Sequence, residues 1–314
     1  MVKRKNHTLR FSGNALLFLF ICVFLDQFTG RVLRHYYFTT TSGLNYQTTY
    51  SMDSTNAEVL IMGSSRAKHH YIPSLIWTRL HTTCYNTGRD GNFLLYNYAL
   101  LKTIVKRYKP GIIILDINPE EMFYGQWSYD GLSVLLPYCK KNWDEIHDVI
   151  EMKGSFEKLK LQSAVYPFNS CLLSIVSDHF INLSKDTLNG YVPYYGHEKE
   201  MKFKDEENKL IEPTIDSCKI IALNNFTSIC CRSGIKLYIV RSPKYSDEDV
   251  TKPQELITSI AMKNHAEFLN FGNSPEFIRN TSLFKDRVHL NDEGAKVLTN
   301  LIIDKIQQDT NTGK

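Results

Sequence analysis

Three short stretches of this chain carry side chains suited to attack on an ester carbonyl. Gly63-Ser64-Ser65-Arg66 offers two hydroxyls directly after an apolar run. A hydroxyl is a weak nucleophile until a base removes its proton. Asp286-Arg-Val-His289-Leu-Asn291 supplies such a base, with a carboxylate three residues away. That carboxylate can fix the imidazole tautomer and stabilise the imidazolium formed when the ring takes a proton. Asn86-Thr-Gly88-Arg-Asp-Gly91 places two glycines where backbone N–H groups can turn toward a developing oxyanion. Each stretch alone is commonplace: a turn, a helix cap, a chance pairing. Their worth depends on whether the fold gathers them.

The surrounding pattern says that it can. Short apolar runs at Glu58–Met62, Thr82–Asn86, Ile112–Leu115, Ile235–Val240 and Glu267–Phe271 read as strands. Helical periodicity fills Pro73–Leu80, Asn92–Tyr108, Pro213–Arg232, Pro253–Asn264 and Asn291–Gln307. Strands alternating with helices predict a parallel sheet covered on both faces, a three-layer α/β/α, flavodoxin-like arrangement. Ligand chemistry in such sheets belongs beyond the carboxyl ends of the strands. All three stretches fall there or in the loop before the last helix. The rhythm breaks from about 120 to 212, a segment rich in Tyr, Trp and charge. It is expected to be a mostly helical insertion over the sheet, capping the site.

With these residues in view, the chain resembles the SGNH/GDSL hydrolase superfamily. The resemblance covers roughly 57–118 and 213–307 and leaves the insertion unmatched. The first block, normally Gly-Asp-Ser, corresponds to Gly63-Ser64-Ser65 and implies Ser65 as nucleophile. The second, Asn-x-Gly-x-x-Gly, corresponds to Asn86–Gly91 and implies Gly91 as an oxyanion-hole donor beside the Ser65 N–H. The last corresponds to Asp286–Asn291 and implies Asp286 and His289 as the remaining triad members. The third block departs from the family. Where Gly-x-Asn-Asp is usual, this chain reads Leu115-Asp-Ile-Asn118-Pro-Glu120, so Asn118, the candidate side-chain donor, is offset by about two positions. Gly-Ser-Ser relatives with membrane anchors include alginate acetyltransferases and D-alanine-transfer proteins.

Composition narrows the setting. Hydrophobic residues are 43% and charged residues 22% of 314, an ordinary globular mixture able to bury a core without staples. Lys3, Arg4, Lys5 and Arg10 precede any acid and account for the whole net charge of +4. No basic surface remains for nucleic acid. The apolar run from Phe11 to Leu25 follows the basic arm. At 15 residues it is short of the ~20 that comfortably span a bilayer, but Arg10 and Gln27-Phe28 can extend it to both interfaces. No A-x-A-like cleavage site follows. The expectation is an uncleaved signal anchor within residues 1–34, with 35–314 forming the domain. Positive charge stays inside, so the domain faces out of the cytoplasm, into the periplasm of a Gram-negative cell.

Arg66 and Arg89 flank the candidate site as possible binders of an anionic substrate, or else as structural partners of Asp90 or Asp116. His69-His70 lacks a third ligand in register for a metal and reads as an exposed or hydrogen-bonded pair. The expected protein is a serine esterase or O-acyltransferase needing no cofactor or metal. Its expected partners are a glycan that bears esters or accepts acyl groups, the inner membrane and a membrane acyl-donor protein. The rival expectation is a non-catalytic envelope scaffold or glycan-binding protein that keeps the fold.

Overall fold

The computed structural model describes residues 2–180, 188–197, 213–245, 251–278 and 280–312. Five strands, β1 (Val59–Met62), β2 (Cys84–Asn86), β3 (Ile112–Asp116), β4 (Lys236–Arg241) and β5 (Glu267–Asn270), form one sheet in the order β2-β1-β3-β4-β5. Every neighbouring pair is parallel. The predicted flavodoxin-like α/β/α architecture is the one observed. Strands buried on both faces need apolar residues at successive positions, which is why β1 and β3 read as continuous runs rather than alternations.

The helices sort to the two faces by the side chains they bury. α1 (Val2–Thr39) and α2 (Gly43–Asp53) precede the sheet. α3 (Ser65–His70) and α4 (Pro73–Leu80) follow β1, and α5 (Leu94–Arg107) follows β2. Val59, Ile61, Ile114 and Val240 pack against Ala67, Tyr71 and Ile76 and against Leu298 and Ile302 near the C-terminus. The alternate residues Leu60, Met62, Ile113 and Leu115 meet Leu94, Leu101 and Ile104 of α5 on the opposite face.

Between β3 and β4 lie α6 (Gln126–Asp130), α7 (Cys139–Glu151), α8 (Glu157–Lys160) and α9 (Leu172–Phe180), joined by 3-10 turns. Residues 181–187 and 198–212 of the expected insertion lie outside the described residues. The insertion's helical part divides. Leu135 and Leu136 of the turn before α7, with Ile146, Val149 and Ile150 of α7, join the α5 face and extend that layer sideways. α6 reaches the second stretch, with Trp127 edge-on to Phe93 at 4.2 Å and Gly131 against the Gly91 carbonyl. The extended strap 188–197 also reaches the site. α10 (Ser217–Ser233), α11 (Thr251–Lys263) and α12 (Asp292–Thr312) complete the alternation. α10 begins at Asp216, whose carboxylate accepts the Cys218 N–H at 3.0 Å, and ends at Gly234 in the left-handed region.

α1 runs without a break through position 34. Its outer part is bare, with Leu16, Phe18, Phe20 and Val23 all more than half exposed, whereas Gly30 and Tyr37 are buried. It is long and apolar enough to cross a membrane, as an anchor or as a signal sequence.

Candidate functional site

The site begins where β1 ends. Gly63 has φ +146°, and a Cβ there would lie 2.7 Å from the Ala67 Cβ and 2.8 Å from the Asp116 carbonyl oxygen, so only glycine fits the turn. The turn delivers Ser65 as the first residue of α3, half-buried, while Ser64 is buried behind it. A first helical residue has no intrahelical acceptor for its N–H. Among the described residues neither the Ser65 nor the Gly91 N–H has an acceptor. Gly91 is exposed with φ +68°.

His289 arrives from the loop before α12. Its Nε2 lies 2.9 Å from the Ser65 Oγ, and its Nδ1 lies 2.9 Å from Oδ2 and 3.1 Å from Oδ1 of Asp286. A carboxylate can only accept, so Nδ1 carries the proton and Nε2 is left to accept the Ser65 hydroxyl. Asp286 is fixed in turn by the N–H groups of Val288 (2.7 Å) and His289 (2.8 Å). Partial burial raises its carboxyl, but the bonds from His289 and from these two N–H groups outweigh it and hold the group down at about 2. Two loops from opposite ends of the domain's sequence thus meet in one continuous Ser-His-Asp hydrogen-bond path.

The two histidines set aside in the sequence brace this path. The Leu290 N–H donates to His70 Nε2 at 3.0 Å, so the His70 proton sits on Nδ1 and donates to the Ser242 Oγ at 3.1 Å. Burial, with His289 and Arg66 nearby, holds His70 well below its ordinary value. His69 lies with Nδ1 2.6 Å from the Val192 carbonyl, stacks on Tyr194 at 3.8 Å between centroids, and meets the His289 ring edge-on. Both histidines are buried, not exposed. Tyr194 also meets His289 edge-on at 5.6 Å. Asp90, between the glycines of the second stretch, pairs with Lys68 at 2.6 Å. Its carboxyl is pushed up by burial and pulled far below the usual range by His69 and Lys68. No spacing rule marks these residues, because the strap that supplies Tyr194 is more than a hundred residues from His69 in sequence.

The strap is tied at several points. Asn86 donates its backbone N–H to the Asn189 carbonyl, Val192 to Lys68, and Asp292 to Tyr194. The Tyr191 hydroxyl donates to Asp292 at 2.9 Å, and the Asn291 amide reaches the carbonyls of Ser282 and Gly196. Asn86 itself is structural: its amide donates to the Ala67 and Tyr71 carbonyls, and its Oδ1 accepts the Gly88 N–H.

Three expected site residues are engaged elsewhere. Arg66 is 3% exposed and pairs with Asp116 at 3.0 Å beneath the site. Arg89 turns away, donating to the Leu44 carbonyl and the Thr48 hydroxyl of α2. Neither guanidinium faces a substrate, which corrects the substrate-binding expectation for both. Burial left Arg66 needing the Asp116 carboxylate, and Arg89 lies where α2 offers acceptors. The Asn118 amide donates to Oε2 of Glu120 at 2.8 Å, and Lys244 donates to the same oxygen at 2.8 Å. The displaced third stretch therefore gives one amide N–H of Asn118 to a local 3-10 turn, and its second N–H has no acceptor among the described residues.

No family model and no curated protein matches the chain. Solved structures resemble it loosely. A Bacteroides fragilis NCTC 9343 protein described provisionally as an acylhydrolase aligns over 80% of this chain and 86% of its own, at 11% identity and TM-score 0.41. An alpha/beta hydrolase enzyme, LAE5, from the metagenome of Lake Arreo, Spain, aligns over 81% and 96%, at 9% identity and TM-score 0.41. A gut microbial diltiazem-metabolizing enzyme aligns over 78% of this chain and 46% of its own, at 14% identity and TM-score 0.32.

Proposed function

We propose that this chain is a membrane-anchored, outward-facing serine esterase or O-acyltransferase of the SGNH type, acting on ester groups of an envelope or exported polysaccharide. The observation that carries this reading is the unbroken path from Ser65 Oγ through His289 to Asp286, with both spacings at 2.9 Å. Ser65 Oγ bonds to the acyl carbon while His289 Nε2 takes its proton. The negative charge moves to the carbonyl oxygen, where the free N–H groups of Ser65 and Gly91 receive it. Collapse expels the alcohol, which leaves with the proton from His289, and an acyl-Ser65 remains. Water or a sugar hydroxyl then gives its proton to His289 and attacks the same carbon, and Ser65 departs with the proton restored. Water gives hydrolysis; a sugar gives transfer.

The polysaccharide assignment rests on position. A tether holds the site near the membrane from which exported glycans emerge and where a membrane acyl-donor protein can reach it, and raises the effective concentration of both. A digestive esterase gains little from that. The test is ester content of the exported polysaccharide in wild-type, deletion and Ser65→Ala strains. An equal change in the last two supports the assignment, and unchanged content in all three refutes it. One observation favours a second reading, a non-catalytic scaffold: the Asn118 amide is oriented by Glu120 of its own turn, two positions from where the family's third block places its donor. Purified full-length chain in detergent separates the readings. Turnover of p-nitrophenyl acetate that disappears in Ser65→Ala supports the enzyme, and none in either form supports the scaffold.

A further inference from the structure

A cavity lies where α1 joins the domain, and none of its lining residues belongs to the Ser65 site. It measures about 480 Å³ and is lined by the last turns of α1, the turn before α7, α7 itself and the segment from Lys158 to Phe168. Its lining carries four cations, Arg31, Arg34, Lys140 and Lys158, and no carboxylate. Arg34 donates to the Pro137 carbonyl and lies over the Phe38 ring. Arg31, Lys140 and Lys158 are exposed and, among the described residues, make no ion pair. The nearby acids are already committed. Asp26 accepts from Ser163 and from the Ala164 N–H, and Glu157 pairs with Lys160 and Tyr166.

The depth of this cavity is set by the apolar run. On α1 the last apolar side chain more than half exposed is Phe28, and Arg31 follows three residues later, roughly 4.5 Å along the axis at helical rise. That distance carries it from the hydrocarbon edge into the headgroup layer. The rim suits the same layer. Trp143 lines the cavity, and Phe156 and Leu159, each 67% exposed, flank Lys158. Aromatic side chains with basic neighbours favour the membrane–water interface.

We propose that this cavity holds the phosphodiester of an anionic glycerophospholipid from the leaflet where α1 emerges, clasped by Arg31, Lys140 and Lys158 beside Arg34. The proposal rests on α1 being retained as a membrane anchor. Charge complementarity chooses the ligand: a cationic, acid-free cleft at headgroup depth fits a phosphate and offers no acceptor to a choline. One bound lipid would pin the domain against the bilayer and hold it at a set orientation below the anchor.

Full-length protein, wild type and Arg31→Gln/Lys140→Gln/Lys158→Gln, is to be reconstituted in vesicles of phosphatidylcholine, with and without phosphatidylglycerol. Flotation tests the anchor, and native mass spectrometry of the extracted protein tests the cavity. Both forms should float on either vesicle, because α1 carries them. Wild type should retain one phosphatidylglycerol per chain with about tenfold preference over phosphatidylcholine, the scale expected for a few surface cations meeting an anionic lipid. The triple variant, folded by its circular dichroism melt, should lose that preference. Flotation without preference, or preference unchanged in the triple variant, overturns the cavity assignment alone. Preferential retention of a polyprenyl phosphate over phosphatidylglycerol overturns the glycerophospholipid assignment. Wild type that fails to float overturns the anchor and this proposal with it.

Discussion

The two flanks of Ser65 are built to opposite ends. On the α12 side, the groups around His289 converge on its ring: Asp286 fixes it, His70 holds the Leu290 N–H beside it, and Tyr194 and His69 wall it. On the β3 side the polar groups serve one another. Asn118, Glu120 and Lys244 are linked to one another, and Arg66, Asp116 and Tyr71 form a second linked group below them. On the function proposed above, the contrast teaches that a nucleophile and its base can be preorganised on one flank while the other spends most of its polar groups on its own support. The reacting flank needs groups with unspent valence, whereas the supporting flank needs none.

Removing the reacting flank should have the largest effect. Ser65→Ala or His289→Ala is expected to lower ester turnover by about 10³-fold or more, the usual loss when a member of such a relay is deleted. Steady-state rates on p-nitrophenyl acetate check this, and a loss below tenfold would erase the distinction between the flanks. The supporting flank should answer in stability instead. Arg66→Ala strands the buried Asp116 carboxylate and is expected to cost about 3–5 kcal/mol, read from chemical denaturation. A near-neutral result would mean that Asp116 is not held as described.

His70 couples the flanks through pH. Its folded value lies well below the 6.5 of the free side chain, so the unfolded chain binds the extra proton. Its contribution to stability is present above pH 6.5 and falls as pH drops below it, at about 1.4 kcal/mol per pH unit. Glu121, pushed up to about 7 chiefly by burial, acts in the opposite sense between its unfolded value of 4.5 and 7. The quantity to measure is therefore the difference between wild type and His70→Gln across pH 5 to 7, which should carry the positive slope. A flat difference would contradict the buried neutral imidazole. The smallest effect is expected at Asn118. Asn118→Ala should change turnover by less than about threefold, because removing a working oxyanion donor costs about 10²–10³-fold. A loss of that larger size would move Asn118 to the reacting flank.

The reacting flank was legible in sequence and the supporting flank was not, for a physical reason. Ser65 and the Asp286–His289 pair act through local geometry: a strand-end turn and a three-residue spacing are written in adjacent positions. The strands are equally local, and β1, β3 and β4 lie within a residue of their expected bounds. In sequence, Arg66 and Arg89 read both as substrate binders and as structural partners of Asp90 or Asp116; tertiary burial decides for Asp116 at Arg66 and for α2 at Arg89. The brace of His69, His70 and Tyr194 depends on a strap inserted between β3 and β4, so its parts share no periodicity. The insertion divides between two uses. Tyr194 of its strap walls the His289 ring as a cap would, whereas Leu135, Ile146 and Val149 spend their apolar surface on the α5 layer.

The central claim is that Ser65, and not Ser64, is a nucleophile activated by His289. The most direct measurement is reaction of detergent-purified full-length protein with a fluorophosphonate, followed by peptide mapping of the phosphonylated residue. A single adduct on Ser65, absent in His289→Ala and retained in Ser64→Ala, is the predicted result. No adduct in the folded wild type, or an adduct on Ser64, would contradict the account.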